Sequence, residues 1–310
     1  MKRKQDKVII VGAGPAGISA GLWCERLQLP ALLLEARDEA GGQLNEIHAP
    51  LTDYLGMPVE DPTELRDSFV EHAGAWGVQV RYGATTRSLK TDTLRLGLAN
   101  DEIMQARALI IATGTTRREL GLIREQELSG KGLYWNLSRG LQHVGGKRVA
   151  VVGSGDTACQ TATQLADAGA SEVLLIIRGG EPSARPYFAE PALQNPRIHL
   201  LLHTRVEALL GQDRLTGIVI RTQGQQEQLQ LDELHGRVGR IPDTDWLGGA
   251  VRVDEDGFIR VDRHGCTNLD LVYAVGDIAA PHAPSVSWAT GSAMAAAKHL
   301  EKRLRLGRPA

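Results

Sequence analysis

Apolar residues in this chain gather in short continuous runs: Val8 to Val11, Ala31 to Leu34, Val78 to Tyr82, Ala108 to Ile111, Arg148 to Val152, Val173 to Ile177 and Asn268 to Val275. Runs of four to eight β-formers read as strands buried on both faces, which is the habit of parallel sheets. Helical spacing fills the gaps at Thr63 to Trp76, after the loop Asp61-Pro62, and at Asp156 to Ala168; an alanine-rich helix follows over Ser285 to Arg303. Weaker pieces at Thr85 to Leu89, Leu94 to Leu98 and Ile103 to Arg107 predict a small antiparallel meander. Those at Arg197 to Leu202, Arg205 to Leu210, Leu215 to Arg221 and Glu227 to Leu231 predict a strand and hairpin series, followed by a loop-like return at Gly239 to Thr244.

Two of the buried runs end in glycine turns. After Val11 comes Gly12-Ala13-Gly14-Pro15-Ala16-Gly17, and the run ending at Leu34 delivers Glu35. Strand, G-x-G-x-x-G, helix and acid in that order form a dinucleotide seat. Gly12 permits the tight turn, Gly14 the approach of a pyrophosphate and Gly17 the close packing of helix on strand, while Glu35 faces the ribose hydroxyls of an adenosine. Residues Arg148 to Ile177 repeat the unit with Gly153-Ser154-Gly155-Asp156-Thr157-Ala158. Two seats imply two nucleotides that exchange electrons, most economically a held flavin and a diffusible nicotinamide.

Other segments extend the first seat. Gly41-Gly42-Gln43-Leu44 reads as a flexible turn wrapping a ligand, and Ala112-Thr113-Gly114 leaves small residues and a hydroxyl at the end of a strand, where open α/β sheets bind ligands. Gly276-Asp277 puts a carboxylate where a ribityl hydroxyl can be held. Ala36 and Thr85 complete the residues expected to bind the flavin nucleotide.

The 310 residues suit two domains, and 35 Lys plus Arg against 37 Asp plus Glu give no basic surplus for nucleic acid. The start, Lys2-Arg3-Lys4-Gln5-Asp6, carries no readable signal or anchor, and no run approaches membrane length. Cys24, Cys159 and Cys266 are too few and too scattered for a disulfide framework or a zinc site; they fit a reducing cytoplasm, with Cys24 and Cys159 as buried inert thiols. No metal site is expected.

Taken together, Gly12 to Gly17, Glu35, Gly41 to Leu44, Ala112 to Gly114, Gly153 to Ala158, Gly239 to Thr244 and Gly276-Asp277 resemble, over nearly the whole chain, the low-molecular-weight thioredoxin reductases among the two-dinucleotide-binding-domain flavoproteins. The resemblance implies an α/β fold of two Rossmann-like domains with three-layer ββα character, the second inserted in the first. Residues 1–116 plus 243–310 would bind FAD and residues 117–242 would bind NAD(P)H. It also implies a homodimer, and places Asp53 where the family usually has asparagine near the flavin, with Pro284 and Ser285 beside the ring.

Departures from the family decide the chemistry expected. Its redox-active C-x-x-C falls on Trp135-Asn136-Leu137-Ser138, which has no thiol, and disulfide exchange needs an attacking thiolate and a resolving partner. The His-Arg-Arg cluster that holds the 2′-phosphate of NADPH in the family is here Ile177-Arg178-Gly179, so one arginine of two remains and preference leans to NADH; Arg185 is a candidate replacement. The segment Leu234 to Arg237 is more polar than the family norm. His282 either donates to the flavin or caps the last helix, and Trp135 either stacks on the ring or fills the space left by the disulfide.

The reading that follows is an FAD-dependent NAD(P)H oxidoreductase passing electrons to an external acceptor. A ferredoxin or iron-sulfur enzyme, including one of the lipoyl-synthase type, is a candidate, because family members that reduce ferredoxin also lack the disulfide. The alternatives are an oxidase of a small molecule that does not use nicotinamide, and a flavin-binding interaction protein without turnover.

Overall fold

A computed structural model describes residues 7–47, 50–137, 141 and 143–306. The basic start Lys2 to Asp6 and Ser138 lie outside the described residues. The chain divides into two compact units, Met1–Thr116 with Ile241–Ala310, and Arg117–Arg240.

The first unit holds β1 (Val8–Val11), α1 (Pro15–Arg26), β2 (Ala31–Leu34), α2 (Pro62–Ala75), β3 (Val80–Arg81), β4 (Thr86–Lys90), β5 (Arg95–Leu98), β6 (Ile103–Gln105) and β7 (Ala108–Ile111). After β8 (Thr115–Arg117) the chain builds the second unit from α3 (Glu125–Leu128), β9 (Leu133–Tyr134), β10 (Arg148–Val152), α4 (Asp156–Asp167), β11 (Glu172–Ile176), α5 (Pro186–Gln194), β12 (Ile198–Leu201), β13 (Thr204–Leu210), β14 (Gly217–Thr222), β15 (Gln225–Gln230) and β16 (Glu233–Gly236). It returns through β17 (Arg240–Pro242), which pairs with β8, to β18 (Val272–Ala274) and α6 (Val286–Leu306).

Each unit is a parallel five-stranded sheet between helices and an antiparallel meander. The first sheet runs β18-β7-β1-β2-β3 with β4-β5-β6 as its meander; the second runs β12-β11-β10-β16-β9 with β13-β14-β15. Strand alternation sorts the core into faces. Val8, Ile10, Ala108 and Ile110 pack with residues of α1 and α6, whereas Ile9, Val11, Leu109 and Ile111 pack with Leu96, Leu98 and Trp246. In the second unit Val149, Val151, Val173 and Leu175 meet Cys159, Ala162 and Leu165, and Ala150, Leu174 and Ile176 meet Ile218 and Ile220. This is the three-layer ββα, two-Rossmann α/β arrangement the sequence predicts.

Several local expectations need correction. Val78 to Tyr82 is a strand only at Val80–Arg81, with both residues half-buried at the sheet edge. Gly41 to Leu44 is an ordered 3-10 turn over Gly42–Asn45 that buries Leu44 against Val59 and Leu65. Gly239 to Thr244 contributes a paired strand, β17, rather than a plain loop. The unusually polar strand expected before Gly239 is, by contrast, present as β16, buried between β10 and β9 with half-buried Arg237 just past its end; its charges are paired, as Glu233 accepts from Lys147 Nζ at 2.6 Å and meets His235 Nε2 at 3.2 Å.

Candidate functional site

In the first unit β1 runs straight into a cradle that only glycine can line. Gly12 turns the chain at φ +102, and a β-carbon there would lie 2.4 Å from the Ala112 carbonyl oxygen; on Gly17 it would lie 1.9 Å from the Gly12 oxygen. Gly14 caps α1 with Pro15 at the first helical position, and Gly42 approaches so closely that a β-carbon on it would lie 2.9 Å from Gly14 Cα. The first turn of α1, whose leading amides have no acceptor within the helix, thus begins among closely approaching glycines, which suits an anion.

Around that space the predicted residues converge. Glu35 is buried, one carboxylate oxygen accepting from Ala13 N at 2.8 Å and the other from Arg37 N at 3.0 Å. Each oxygen keeps a lone pair for a further donor. Exposed Ala36 follows, and Thr85 comes just after Ala84, whose N–H bonds the Glu35 carbonyl. Gln43 Nε2 donates to Asp277 Oδ2 at 2.8 Å and reaches Thr115 Oγ1 at 3.4 Å, just past Gly114. Gly276, at φ +71, abuts Ala16, and its N–H donates to Ser292 Oγ at 3.0 Å. The Thr113 hydroxyl is buried without a hydrogen-bond partner among the described residues. A buried orphan hydroxyl beside a glycine cradle fits a polar ligand group; the residues present therefore suit the pyrophosphate and sugars of a dinucleotide.

Some predicted residues stand apart. Asp53 is exposed in a loop closed by the Leu51–Val59 bridge, with its neighbour Tyr54 on Phe69. His282 and Pro284 are exposed. Ser285, not His282, caps the last helix, its Oγ accepting from Trp288 N at 3.1 Å, so the capping alternative for His282 is withdrawn.

The second unit repeats the cradle. Gly153 turns at φ +145, where a β-carbon would lie 2.2 Å from the Arg237 oxygen and 3.1 Å from the Ala158 methyl. Gly155 caps α4, and exposed Thr157 lies in its first turn. Asp156 is committed to Arg185, accepting from its backbone N at 2.7 Å and its Nε at 2.6 Å. Arg185 thus lies at the helix start in an exposed ion pair made through Nε, whereas exposed Arg178 has no carboxylate partner among the described residues. Gly239 accepts from Arg118 N at 2.9 Å.

Where a disulfide would be expected, Trp135 lies against Gly236, whose β-carbon would fall 2.3 Å from the indole. Arg117 covers the ring at 4.6 Å, Arg237 Nη1 donates to the Trp135 carbonyl at 2.7 Å, and the indole N–H is buried without a partner among the described residues. Burial pulls Arg237 down to about 10, which leaves it cationic at neutral pH. Burial also holds the His235 imidazole below its ordinary value, while the hydrogen bonds from His235 and Lys147 outweigh burial and keep Glu233 below the usual carboxylate range. Sequence reasoning missed this triad and the Arg117 stack, because Lys147, Glu233 and Arg117 come from separate segments with no shared motif. A charged pair at i, i+2 within a buried strand was the available signal.

A sequence model of the family described as pyridine nucleotide-disulphide oxidoreductase matches residues 6–298. The chain belongs to this family. It is 31% identical over 310 residues to the thioredoxin reductase of Streptomyces clavuligerus, covering 96% of this chain and 93% of that one. Among solved structures it is similar to T. acidophilum thioredoxin reductase, with TM-score 0.84, 29% identity and coverage of 96% of this chain and 98% of that one. The fold also matches Lactococcus lactis thioredoxin reductase in its FR conformation, at TM-score 0.87 and 24% identity over 97% and 99% of the two chains. With its three cysteines all free, this member is a flavin-dependent NAD(P)H oxidoreductase without an active disulfide. No helix among the described residues is long and apolar enough to cross a membrane.

Proposed function

We propose that residues 1–116 with 243–310 hold FAD and residues 117–242 hold NAD(P)H, and that electrons leave the flavin directly for an external acceptor, an iron-sulfur protein such as a ferredoxin or a lipoyl-synthase-type enzyme. The observation that carries this reading is Trp135, wedged on Gly236 where relatives with a disulfide would place a thiol. Thioredoxin is the substrate in the names of the relatives, but this chain has no thiol pair to relay electrons to it.

When bound, the flavin would take up a hydride from the nicotinamide and give electrons up singly or in pairs. The chain's own part is binding and orientation. Gly12, Gly14 and Gly42 would admit the FAD pyrophosphate to the start of α1, Thr113 would donate its free hydroxyl, Glu35 would accept from the adenosine ribose, and Asp277, held by Gln43, from the ribityl chain. Gly153, Gly155, Thr157 and Ala158 would seat the nicotinamide dinucleotide. The family resemblance supports a homodimer working in the cytoplasm.

Anaerobic titration of the FAD-loaded protein tests the reading. Bleaching of the flavin by NADH or NADPH, followed by recovery on adding ferredoxin but not thioredoxin, is the expected result. In Gly155→Trp, FAD should stay bound while bleaching is lost; Gly155 has open space at its β-carbon and an ordinary φ of −84, so the variant should fold. Undiminished bleaching in that variant would take the second unit out of the reaction.

A further inference from the structure

We propose that Cys266 is a thiol–disulfide exchange site that takes up a small, carboxylate-bearing disulfide as a mixed disulfide, with His299 as the base. None of its residues belongs to either glycine cradle. The turn just before β18 builds the site locally. Asp262 Oδ1 accepts from His264 N at 2.8 Å and from Cys266 N at 2.9 Å, and Gly265 turns at φ +78, where a β-carbon would lie 3.1 Å from the Ala274 oxygen. Ala274 N donates to Gly265 O at 2.9 Å, and Cys266 pairs with Tyr273 in an antiparallel bridge. Residues opposite each other in such a pair share a face. That face meets α6, which presents His299 and, four residues on, Arg303 on one side of the helix.

Thiol, phenol and two imidazoles meet there beside a guanidinium. Cys266 Sγ lies 3.4 Å from His299 Nδ1, the Tyr273 hydroxyl lies 3.0 Å from the same nitrogen, and the His264 ring stacks on the His299 ring at 4.4 Å with 3° between their planes. The Arg303 side chain is only 10% exposed. Its Nη2 donates to Asp270 at 2.7 Å, its charge reaches Tyr273 and Cys266, and its Nε is buried without a partner among the described residues. A buried donor left open beside a thiol suits an acceptor brought by a ligand, and a carboxylate is the acceptor a guanidinium favours. Of the three cysteines, Cys24 and Cys159 are buried and Cys266 is half-buried, which leaves Cys266 as the thiol a small molecule can reach.

Burial first, and then the Asp262 charge, push the Cys266 thiol above its ordinary value, while burial and the neighbouring His264 hold the His299 imidazole below its own. At neutral pH the pair is therefore a thiol beside a neutral base. As the sulfur attacks, its proton passes to His299 Nδ1. The bond from Cys266 Sγ to one sulfur of the incoming disulfide forms, the S–S bond of that disulfide breaks, and the departing thiolate takes the proton back from the imidazolium. One disulfide is consumed and one mixed disulfide and one small thiol are made, so no further oxidant or reductant is needed. Burial pushes the Tyr273 hydroxyl up as well, so it stays protonated as negative charge grows on the sulfur beside it.

The test is incubation of the folded, FAD-loaded protein with oxidised glutathione or, separately, with the cationic disulfide cystamine, followed by peptide mass spectrometry. The expected result is one glutathionyl group per chain, on Cys266, with Cys24 and Cys159 unmodified. Oxidised glutathione should react about tenfold faster than cystamine although it is the larger molecule, and Arg303→Gln should abolish that preference. His299→Gln should slow labelling at least about tenfold, with a thermal melt to show that each variant is folded. Where a variant does not fold, the labelling map and the two rates of the unaltered protein still decide. An unlabelled Cys266, labelling spread over all three cysteines, cystamine reacting as fast as oxidised glutathione, or a folded His299→Gln variant that labels at the unaltered rate each overturns the proposal.

Discussion

Gln43 is the residue on which the first cradle is tied. Its amide donates to Asp277 across 234 positions of chain, joining the 3-10 turn after β2 to the end of β18. Replacing the amide by a carboxylate removes the donor and sets two like charges about 2.8 Å apart. Losing a hydrogen bond to a charged group costs about 1.5–3 kcal/mol, and the repulsion adds to it. Gln43→Glu should therefore lower the melting temperature and FAD retention at pH 7. The repulsion raises the carboxyl pKa values in the folded state, so the penalty should shrink as pH falls and one of the pair takes a proton. Thermal melts at pH 5 and pH 7 check this; equal losses at both would mean the two side chains do not face each other in solution. Such pairings were only partly legible in sequence. Gln43 and Asp277 were each readable as ligand-facing, and so were Gly12 and Gly153 as tight turns, because spacing to a neighbouring strand is local. That one of them holds the other is a fact of the sheet order, which places β18 two strands from β1.

At the scale of elements, the buried strands could be read because burial on both faces leaves an unbroken apolar run. Val80–Arg81 came out shorter because an edge strand has a partner on one side only. Leu234 to Arg237 was readable as an unusually polar strand, but why burial tolerates it was not: the strand carries Glu233 and His235, and the Lys147 that neutralises Glu233 is supplied from just before β10. Trp135 was ambiguous in sequence between stacking on a ring and filling a void; the contact with Gly236 shows it packed within its own unit. Its truncation tests that packing. Trp135→Ala should cost roughly 2–3 kcal/mol, below the 3–5 kcal/mol of a fully buried aromatic, because the indole is only partly buried. Trp135→Phe should cost much less, since it keeps a ring beneath Arg117 and removes a buried N–H that has no acceptor among the described residues. Chemical denaturation of the two variants distinguishes them, and a phenylalanine variant as unstable as the alanine one would show that the N–H is in fact bonded.

On the scale of the whole chain, the two units should answer to different variables. Each has its own cores, with α1 and α6 packed on the first sheet and α4 on the second. If FAD is held by the first unit, as proposed above, it should stabilise that unit by mass action, by about 2.7 kcal/mol at a hundred times its dissociation constant. Acid should act on the second unit instead, through Glu233 and His235. In the unfolded chain an imidazole takes its proton near pH 6.5 and a glutamate near pH 4.3, and both folded values lie below these. The unfolded state then binds more protons as pH falls, so the stability these groups contribute is present above the unfolded values and is lost as pH drops through the folded ones. Calorimetry from pH 7.5 to pH 5 should show one transition that moves with added FAD and another that moves with pH. Glu233→Gln should weaken the second transition at pH 7 by stranding Lys147 beside a neutral partner and, because the carboxylate holds the His235 value up against burial, should steepen the loss between pH 7.5 and pH 5. If the FAD-sensitive transition, rather than the other, carries the acid dependence, the Glu233–His235 pair is not what makes the protein acid-labile.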